Sequence, residues 1–327
     1  RYLQWPSGDG WLSAATMKTA VIIDSACDLS TAYIQQHRLY LLPNKLIVGN
    51  QILIDNRDAN LTLAFYHRYA TAQPQNLAAM SEPATVGAIV DLFLNRLVTV
   101  HDRAILITIS QTRSELFQNA TEASFSIVRG YRERRQQAGL NTPFHLNVLD
   151  SRTVFAGQAV LTHEVVRLLQ NPDLPFGELR RLAEAFRRYI RCYILLDDLA
   201  HVYRQASDKG ERSIGFLNYR MGALLGLKPV ARFVDGETEL VLKARGFERA
   251  LAGLFEQANL EIDQGLRSPL VVLSYAGDPQ WLRRQRAFID FERHVRQWGI
   301  EIMVSVMSAT GGLYLGPNAV SLAFAVA

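Results

Sequence analysis

Short apolar runs alternate with amphipathic stretches in the first half of the chain. Continuous apolar runs cover residues 19–24, 104–109 and 146–150, and each gives way to an aspartate or a serine. Such runs are typical of strands that are buried on both faces. The stretch between the second and third runs carries an apolar stripe at helical spacing, formed by Leu116, Ala120, Ala123 and Ile127. Strands alternating with helices of this length predict parallel βαβ units.

The pattern breaks at residues 171–175, where Asn-Pro-Asp-Leu-Pro indicates a loop. An Arg-rich amphipathic helix is predicted after it, and Asp235-Gly236 predicts the turn of a hairpin. Further apolar runs predict strands at 192–196, 270–274, 301–306 and 320–325. We therefore predict a two-domain α/β protein. Its first domain, 17–170, has a parallel Rossmann-like sheet, and its second, 171–327, has a mixed sheet.

Residues 1–16 show no periodicity, and Met17 followed by a strand reads as a native start. We interpret residues 1–16 as an extension or a cloning remnant.

Composition narrows the class of protein. The 327 residues are 49% hydrophobic with a net charge of +4, and the basic residues are dispersed, so we expect no nucleic-acid partner. Two isolated cysteines without metal-site spacing fit a reducing, cytoplasmic compartment. No apolar run approaches the roughly 18 residues that span a bilayer, so we expect at most a transient membrane contact.

Four polar segments follow predicted strands or lie in predicted loops, where α/β proteins bind ligands. They are residues 24–29, 80–84, 110–120 and 311–319. Hydroxyl and backbone N–H groups at a strand–helix turn can hold a carboxylate or a phosphate. Helix capping and tight loops are the alternative explanation for each segment.

Motifs of common enzymes are missing from the sequence, which has no G-x-S-x-G elbow, no G-x-G-x-x-G after a strand and no Walker loop. No histidine lies beside a polar segment in a metal-binding pattern, and we predict no metal or cofactor. Cys27 beside a helix start could be a nucleophile, so a small hydrolase or acyl transferase using Cys27 or a serine is one alternative. A regulatory sensor of another lipid or of a phosphorylated metabolite is a second.

The polar segments resemble, in order and spacing, the motifs of the DegV family. Residues 24–29, Asp-Ser-Ala-Cys-Asp-Leu, match the family's D-S-(T/S/A)-(C/S)-D-L, and Asp55 stands at a frequent family Asp. Residues 81–83, 110–120 and 149–152 resemble T-S-Q-P, I-S-S-x-x-S-G-T-Y-Q-S-A and V-I-D-S. In the second half, residues 209–213, 225–229, 243–246 and 316–324 resemble K-G-G-R, L-x-I-K-P, K-x-R-G and the closing G-P-G-x-L-G-L-A-F.

The resemblance implies a non-catalytic carrier that buries one long-chain fatty acid, with a fatty-acid kinase subunit as a partner that phosphorylates the acid for phospholipid synthesis. It implies head-group binding by Ser25, Ser81, Ser110, Ser114 and Tyr314, with supporting roles for Arg204 and Gly316. The tail would lie against the apolar faces of helices at 85–96 and 114–130. The chain departs from the family pattern at Met80, Glu82, Glu115, Tyr314 (for His) and Asn318 (for Gly). A carboxylate at position 82 or 115 would repel a head group unless it were protonated or turned away.

Overall fold

The computed structural model describes residues 17–71, 79–209 and 226–327. Within these ranges the strands are β1 (Thr19–Asp24), β2 (Tyr40–Leu42), β3 (Asn44–Val48), β4 (Gln51–Asp55), β5 (Ala79–Glu82), β6 (Arg103–Thr108), β7 (His145–Asp150), β8 (Ile190–Leu195), β9 (Leu227–Val234), β10 (Glu237–Arg245), β11 (Leu270–Tyr275), β12 (Glu301–Val306) and β13 (Val320–Ala325).

The α-helices of the same ranges are α1 (Thr31–Gln36), α2 (Ala59–Thr71), α3 (Val86–Leu92), α4 (Leu116–Ser126), α5 (Val128–Gln137), α6 (Ala156–Leu168), α7 (Phe176–Phe186), α8 (Leu199–Lys209), α9 (Phe247–Ile262), α10 (Pro279–Arg283), α11 (Arg286–Gln297) and α12 (Ala309–Leu315). A π-helix, Phe93–Leu97, extends α3, and a 3₁₀ turn, Arg187–Tyr189, extends α7.

The first sheet is the predicted parallel sheet. Its order is β2-β1-β6-β7, and all of its neighbouring strands run parallel. The carboxyl ends of β1, β6 and β7 therefore meet at one edge, at Asp24, Thr108 and Asp150. The apolar runs of the central strands β1 and β6 are buried, whereas β7 at the edge of the sheet is fully buried only at Leu149 and Asp150.

A small antiparallel sheet, β4-β3-β5, was not predicted. The expectation that residues 80–84 form a loop is wrong for Met80 to Glu82, which pair with Ile47, Leu46 and Lys45 of β3. Strand pairing decides this segment, because its sequence has no apolar run that could signal a strand. The following helix does open as expected, since the Thr85 hydroxyl caps α3 by accepting from Ala88 N–H.

The second sheet is mixed, in the order β10-β9-β8-β13-β11-β12. The pair β11–β12 is parallel, and the other neighbouring strands are antiparallel. The predicted hairpin is β9–β10, and Asp235 and Gly236 both have positive φ at its turn (47° and 91°), as a type I′ turn requires.

Helix α6 joins the two halves of the molecule. It packs on β8, β11 and β13 of the second sheet and also contacts β6 of the first. Its first seven residues are buried on every side, so its small and polar side chains face both sheets. The Gln158 amide donates to Asp24 Oδ2 and to the Ile107 carbonyl oxygen of the first half. A domain boundary at 170/171 stays a prediction.

Residues 311–315 form the buried helix α12 instead of a loop between strands. The Ser308 hydroxyl begins the helix by accepting from Gly311 N–H at 3.0 Å. Gly312 faces the ring of Tyr66, and a Cβ at this position would lie 2.2 Å from Tyr66 Cε1. The glycines are thus explained by close packing and not by a turn.

Candidate functional site

Buried carboxylates hold the loop after β6 at the carboxyl edge of the first sheet. Asp24 Oδ2 accepts from Ile109 N–H at 2.7 Å, and Asp24 Oδ1 accepts from Ala26 N–H at 2.8 Å. Asp150 Oδ1 accepts from Gln111 N–H at 3.1 Å. Burial raises the pKa of Asp24 from 3.8 to about 6, although these hydrogen bonds oppose the shift. The sequence motif therefore shapes the loop that carries Ser110 and Ser114.

Ser110 and Ser114 stand at opposite ends of that loop. Ser110 is buried, and its hydroxyl lies 3.0 Å from the Thr112 hydroxyl. The half-buried Ser114 accepts from Leu116 N–H at 3.2 Å, at the start of α4. Within the described ranges no acceptor binds the Ser114 hydroxyl proton, so Ser114 can donate a hydrogen bond to a ligand.

Ser81 and Tyr314 are brought together from positions 233 residues apart. The Tyr314 hydroxyl oxygen accepts from Ser81 N–H at 2.9 Å and lies 2.9 Å from the Ser81 hydroxyl oxygen. Both residues are half-buried. Asn119 of α4 donates to the Ala84 carbonyl oxygen at 3.0 Å, which ties the segment after β5 to the helix that Ser114 precedes.

Ser25 lies in a different hydrogen-bonded group. Its hydroxyl donates to the Asp55 carbonyl oxygen at 2.5 Å and accepts from Asn44 N–H at 2.8 Å. In this arrangement its single proton already has an acceptor, and a head group would have to compete with Asp55 for it. The same serine joins β1 to the β3–β4 hairpin.

Two buried carboxylates beside Ser25 connect the first half to α12. The Asp28 carboxylate lies 3.4 Å from the Arg57 guanidinium and accepts from Ser308 N–H at 2.9 Å. Burial raises the pKa of Asp28, while Arg57 and the hydrogen bonds lower it. Asp55 Oδ2 accepts from both the N–H and the hydroxyl of Thr310, at 2.8 and 2.7 Å.

Sequence reasoning found Asp55 as a family position but missed Arg57, Ser308 and Thr310 as members of this network. A Ser followed by a small-residue run is a helix N-cap signal, and it could have identified Ser308. No sequence signal pairs Arg57 with Asp28, because the contact depends on the tertiary fold.

Cys27 is fully buried, and its Sγ lies 3.6 Å from the Thr162 hydroxyl. Burial raises the pKa of the Cys27 thiol far above its ordinary range. A thiol that is protonated and buried is a poor nucleophile.

Gly316 and Arg204 were predicted to support the site. Gly316 ends α12 with φ of 85°, and a Cβ there would lie 3.0 Å from the ring of His201. Its contribution is backbone conformation and close packing. Arg204 lies in α8, but its side chain is outside the described part of the chain, as are residues 210–213 and 225 of the family-like motifs.

An apolar layer lies behind these polar groups. The buried faces of α3, its π-helical extension and α4 pack on the side chains of β1 and β6 that point to that side of the first sheet. Four of the buried residues are alanines: Ala20, Ala104, Ala120 and Ala123. The two helices predicted to line an acyl tail are therefore the two that cover this layer.

The described residues also bear on metal binding and on membrane crossing. Among the residues that the structure describes, no three acidic, histidine or cysteine side chains are grouped as metal ligands. None of the helices in the described ranges combines the length and the apolar character that crossing a bilayer demands.

Comparison with known proteins gives consistent matches along the chain. A family model described as "Uncharacterised protein, DegV family" matches residues 18–327. A DegV domain-containing protein of Xanthomonas campestris is 36% identical over 309 residues, covering 94% of this chain and 98% of that one.

Solved structures also match. A stearic acid-binding protein from Eubacterium ventriosum has a TM-score of 0.77 at 18% identity, over 94% of this chain and 98% of that one. The Fatty Acid Kinase (Fak) B3 protein of Streptococcus pneumoniae, loaded with linoleic acid, has a TM-score of 0.70 at 16% identity, over 95% of this chain and 100% of that one. At such identities the structures establish a common fold.

Proposed function

Because the chain belongs to the DegV family, we propose that it binds one long-chain fatty acid and carries it without transforming it. The observation that supports this most is the position of the polar groups relative to the apolar layer. Ser114 has a hydroxyl proton to donate at the start of α4, and the buried face of the same helix covers the layer. A fatty acid whose carboxylate binds Ser114 could therefore extend its alkyl chain along the buried face of α4.

The energetics fit a carrier. Burying an alkyl chain contributes about 0.8 kcal/mol per methylene, so the tail supplies most of the affinity. The head group needs only enough donors to stay ionised in a site of low polarity. Ser114 and the Ser81–Tyr314 pair would provide O–H donors, with Ser110 and Ser25 behind them.

The departures at Met80 and Glu82 are compatible with this role because side chains alternate along a strand. Ser81 of β5 faces Tyr314, whereas Met80 and Glu82 lie on the outer face and are exposed. Glu82 forms an ion pair with Lys45 at 2.8 Å on that face. Glu115 is also exposed. These carboxylates therefore place no negative charge between Ser81 and Tyr314.

We test the site by native mass spectrometry of the purified protein, with lipid extraction from the same sample. We expect one fatty acid per chain, and loss of at least most of it in Ser114→Ala combined with Tyr314→Phe. Ser126→Ala is the matched control, since Ser126 lies on the exposed side of α4 and donates to the Glu122 carbonyl oxygen. A wild-type protein that is empty and takes up no added fatty acid would overturn the proposal.

A fatty-acid kinase subunit is the proposed partner, and the cytoplasm is the proposed location. The support for this partner is the structural neighbour from Streptococcus pneumoniae, which is a Fatty Acid Kinase (Fak) B3 protein. Mixing the loaded protein with such a kinase and ATP should yield an acyl phosphate, and Ser126→Ala should yield as much. No acyl phosphate from a loaded, folded protein would argue against this partner while leaving the carrier role intact.

A small hydrolase or acyl transferase remains the competing function, and Cys27 is its weakest point because the thiol is buried and its pKa is raised. An ester panel provides the test. Turnover that Cys27→Ala abolishes would favour the enzyme over the carrier.

A further inference from the structure

Three aromatic rings close one end of the apolar layer between α3–α4 and the first sheet. Phe93 of the π-helix meets Phe144 edge-on, with ring centroids 6.2 Å apart, and Tyr131 of α5 lies 6.4 Å from Phe144. All three belong to the layer's core and are at most 9% exposed. Aromatic clusters of this geometry are stabilised beyond the area that they bury.

The aromatic cluster lies at the edge of the sheet opposite the polar groups. Phe144 directly precedes β7, whereas Asp150 ends it at the carboxyl edge. Six residues of strand at about 3.3 Å each separate the two levels by roughly 20 Å. An extended acyl chain of about 16 to 18 carbons, with carbon–carbon bonds near 1.5 Å, also measures roughly 20 Å.

A fixed support holds the aromatic cluster from behind. Arg135, one turn after Tyr131, is fully buried and uses all five of its N–H donors. Nε donates to the Thr142 carbonyl oxygen, and the terminal nitrogens donate to the oxygens of Val98, His101, Asp102 and the Thr142 side chain. The segment that follows Phe93 is thereby joined to the segment that precedes Phe144.

We propose that the Phe93–Tyr131–Phe144 cluster is the stop that sets the longest acyl chain this protein binds. The inference rests on the proposed fatty-acid binding, with the carboxylate at the Ser81, Ser114 and Tyr314 end. An acyl chain longer than the distance to the cluster has to fold back or leave its head group. The small alanine side chains along the layer leave room for the acyl chain, and the three aromatic rings block its further extension.

The test is competition among saturated fatty acids from about 12 to about 22 carbons, read by native mass spectrometry, with about a fourfold gain in affinity expected for each methylene that fits. In the wild type the affinity should stop increasing at a defined acyl-chain length. Phe93→Leu and Phe144→Leu should each raise that length by about two carbons, since each shortens a ring to a branched chain. Ala104→Val, at the same edge of the sheet, should lower it.

Phe288→Leu is the matched control, because Phe288 is equally buried and pairs edge-on with Phe255 at 6.1 Å in the core of the second sheet. It should lose thermal stability like the other variants and keep the wild-type length limit. The proposal is overturned if folded Phe93→Leu and Phe144→Leu keep the limit, or if Phe288→Leu shifts it equally. If the wild type binds fatty acids without any length limit, only the proposed role of the aromatic cluster is overturned. If the wild type binds no fatty acid, the proposed function itself is overturned.

Discussion

Replacing Asp24, at the carboxyl edge of the first sheet, with Asn should remove a fall in the free energy of unfolding that occurs as pH rises. Burial raises the pKa of Asp24 from 3.8 to about 6. Between about pH 4 and pH 6 the unfolded chain therefore releases this proton while the folded protein keeps it, so the contribution of Asp24 to stability falls as pH rises. A shift of about two pKa units corresponds to about 3 kcal/mol, lost in full above pH 6.

The Asp24→Asn variant has no such ionisation but loses a hydrogen bond. One amide oxygen can replace Asp24 Oδ2 and accept from Ile109 N–H, while the amide nitrogen faces Ala26 N–H and repels it. An unsatisfied buried donor costs about 1–3 kcal/mol at any pH. We expect the variant to be less stable than the wild type at pH 4. Between pH 4 and pH 7 its free energy of unfolding should rise by about 3 kcal/mol relative to that of the wild type.

Urea unfolding at pH 4, 5, 6 and 7 gives the free energy of unfolding of both proteins. Subtracting one pH curve from the other cancels the contribution of the carboxylates that both proteins contain. Gln158→Leu provides a companion variant, because it removes a neutral hydrogen bond that lowers the pKa of Asp24 and keeps the charge. Its free energy of unfolding should keep falling to a higher pH than that of the wild type, because losing this hydrogen bond raises the pKa of folded Asp24 further. If wild-type and Asp24→Asn curves run parallel from pH 4 to pH 7, Asp24 is not the buried, raised carboxyl that this reasoning requires.

Three other substitutions or reagents give separate checks. Arg135→Lys should cost about 3–5 kcal/mol in urea unfolding, because Lys cannot satisfy five buried acceptors in one plane; a cost under about 1 kcal/mol would contradict the network. Gly312→Ala should cost at least about 3 kcal/mol, since its Cβ would overlap the Tyr66 ring, whereas Gly177→Ala in α7, with open space around it, should be neutral or stabilising. Cys27 should react with a thiol reagent only at the rate of unfolding, and fast labelling of the native protein would show that it is accessible.

Sequence patterning predicts β1 and β6 well because these central strands are buried on both faces and so read as continuous apolar runs. The edge strand β7 was also predicted, although only its last two residues are fully buried. The hairpin at Asp235-Gly236 was also predicted, since its turn demands residues that tolerate positive φ. These features depend on local chemistry. The fold class is confirmed by the parallel four-stranded sheet, by the mixed six-stranded sheet and by the family match.

The small sheet and helix α12 escaped prediction for a different reason. Strand β5 is paired on one edge and exposes Met80 and Glu82, so it carries no hydrophobic run. Gly311 and Gly312 signal a turn in sequence but serve close packing against Met307 and Tyr66. The contact between Ser81 and Tyr314 joins positions 233 residues apart and can be inferred only from the fold. Head-group roles for Ser25, Ser81, Ser110, Ser114 and Tyr314 stay predictions.

The position of β13 constrains the order in which the chain can fold during synthesis. β13 lies between β8 and β11 in the second sheet, and both of those strands precede it in sequence. Until residues 320–325 leave the ribosome, β8 and β11 have no common neighbour and each presents an open edge. Ser308 and Thr310, which satisfy Asp28 and Asp55, are also made late. The first half therefore emerges with buried carboxylates that lack their partners, and a nascent chain stalled before residue 308 should be exposed to chaperones and proteases.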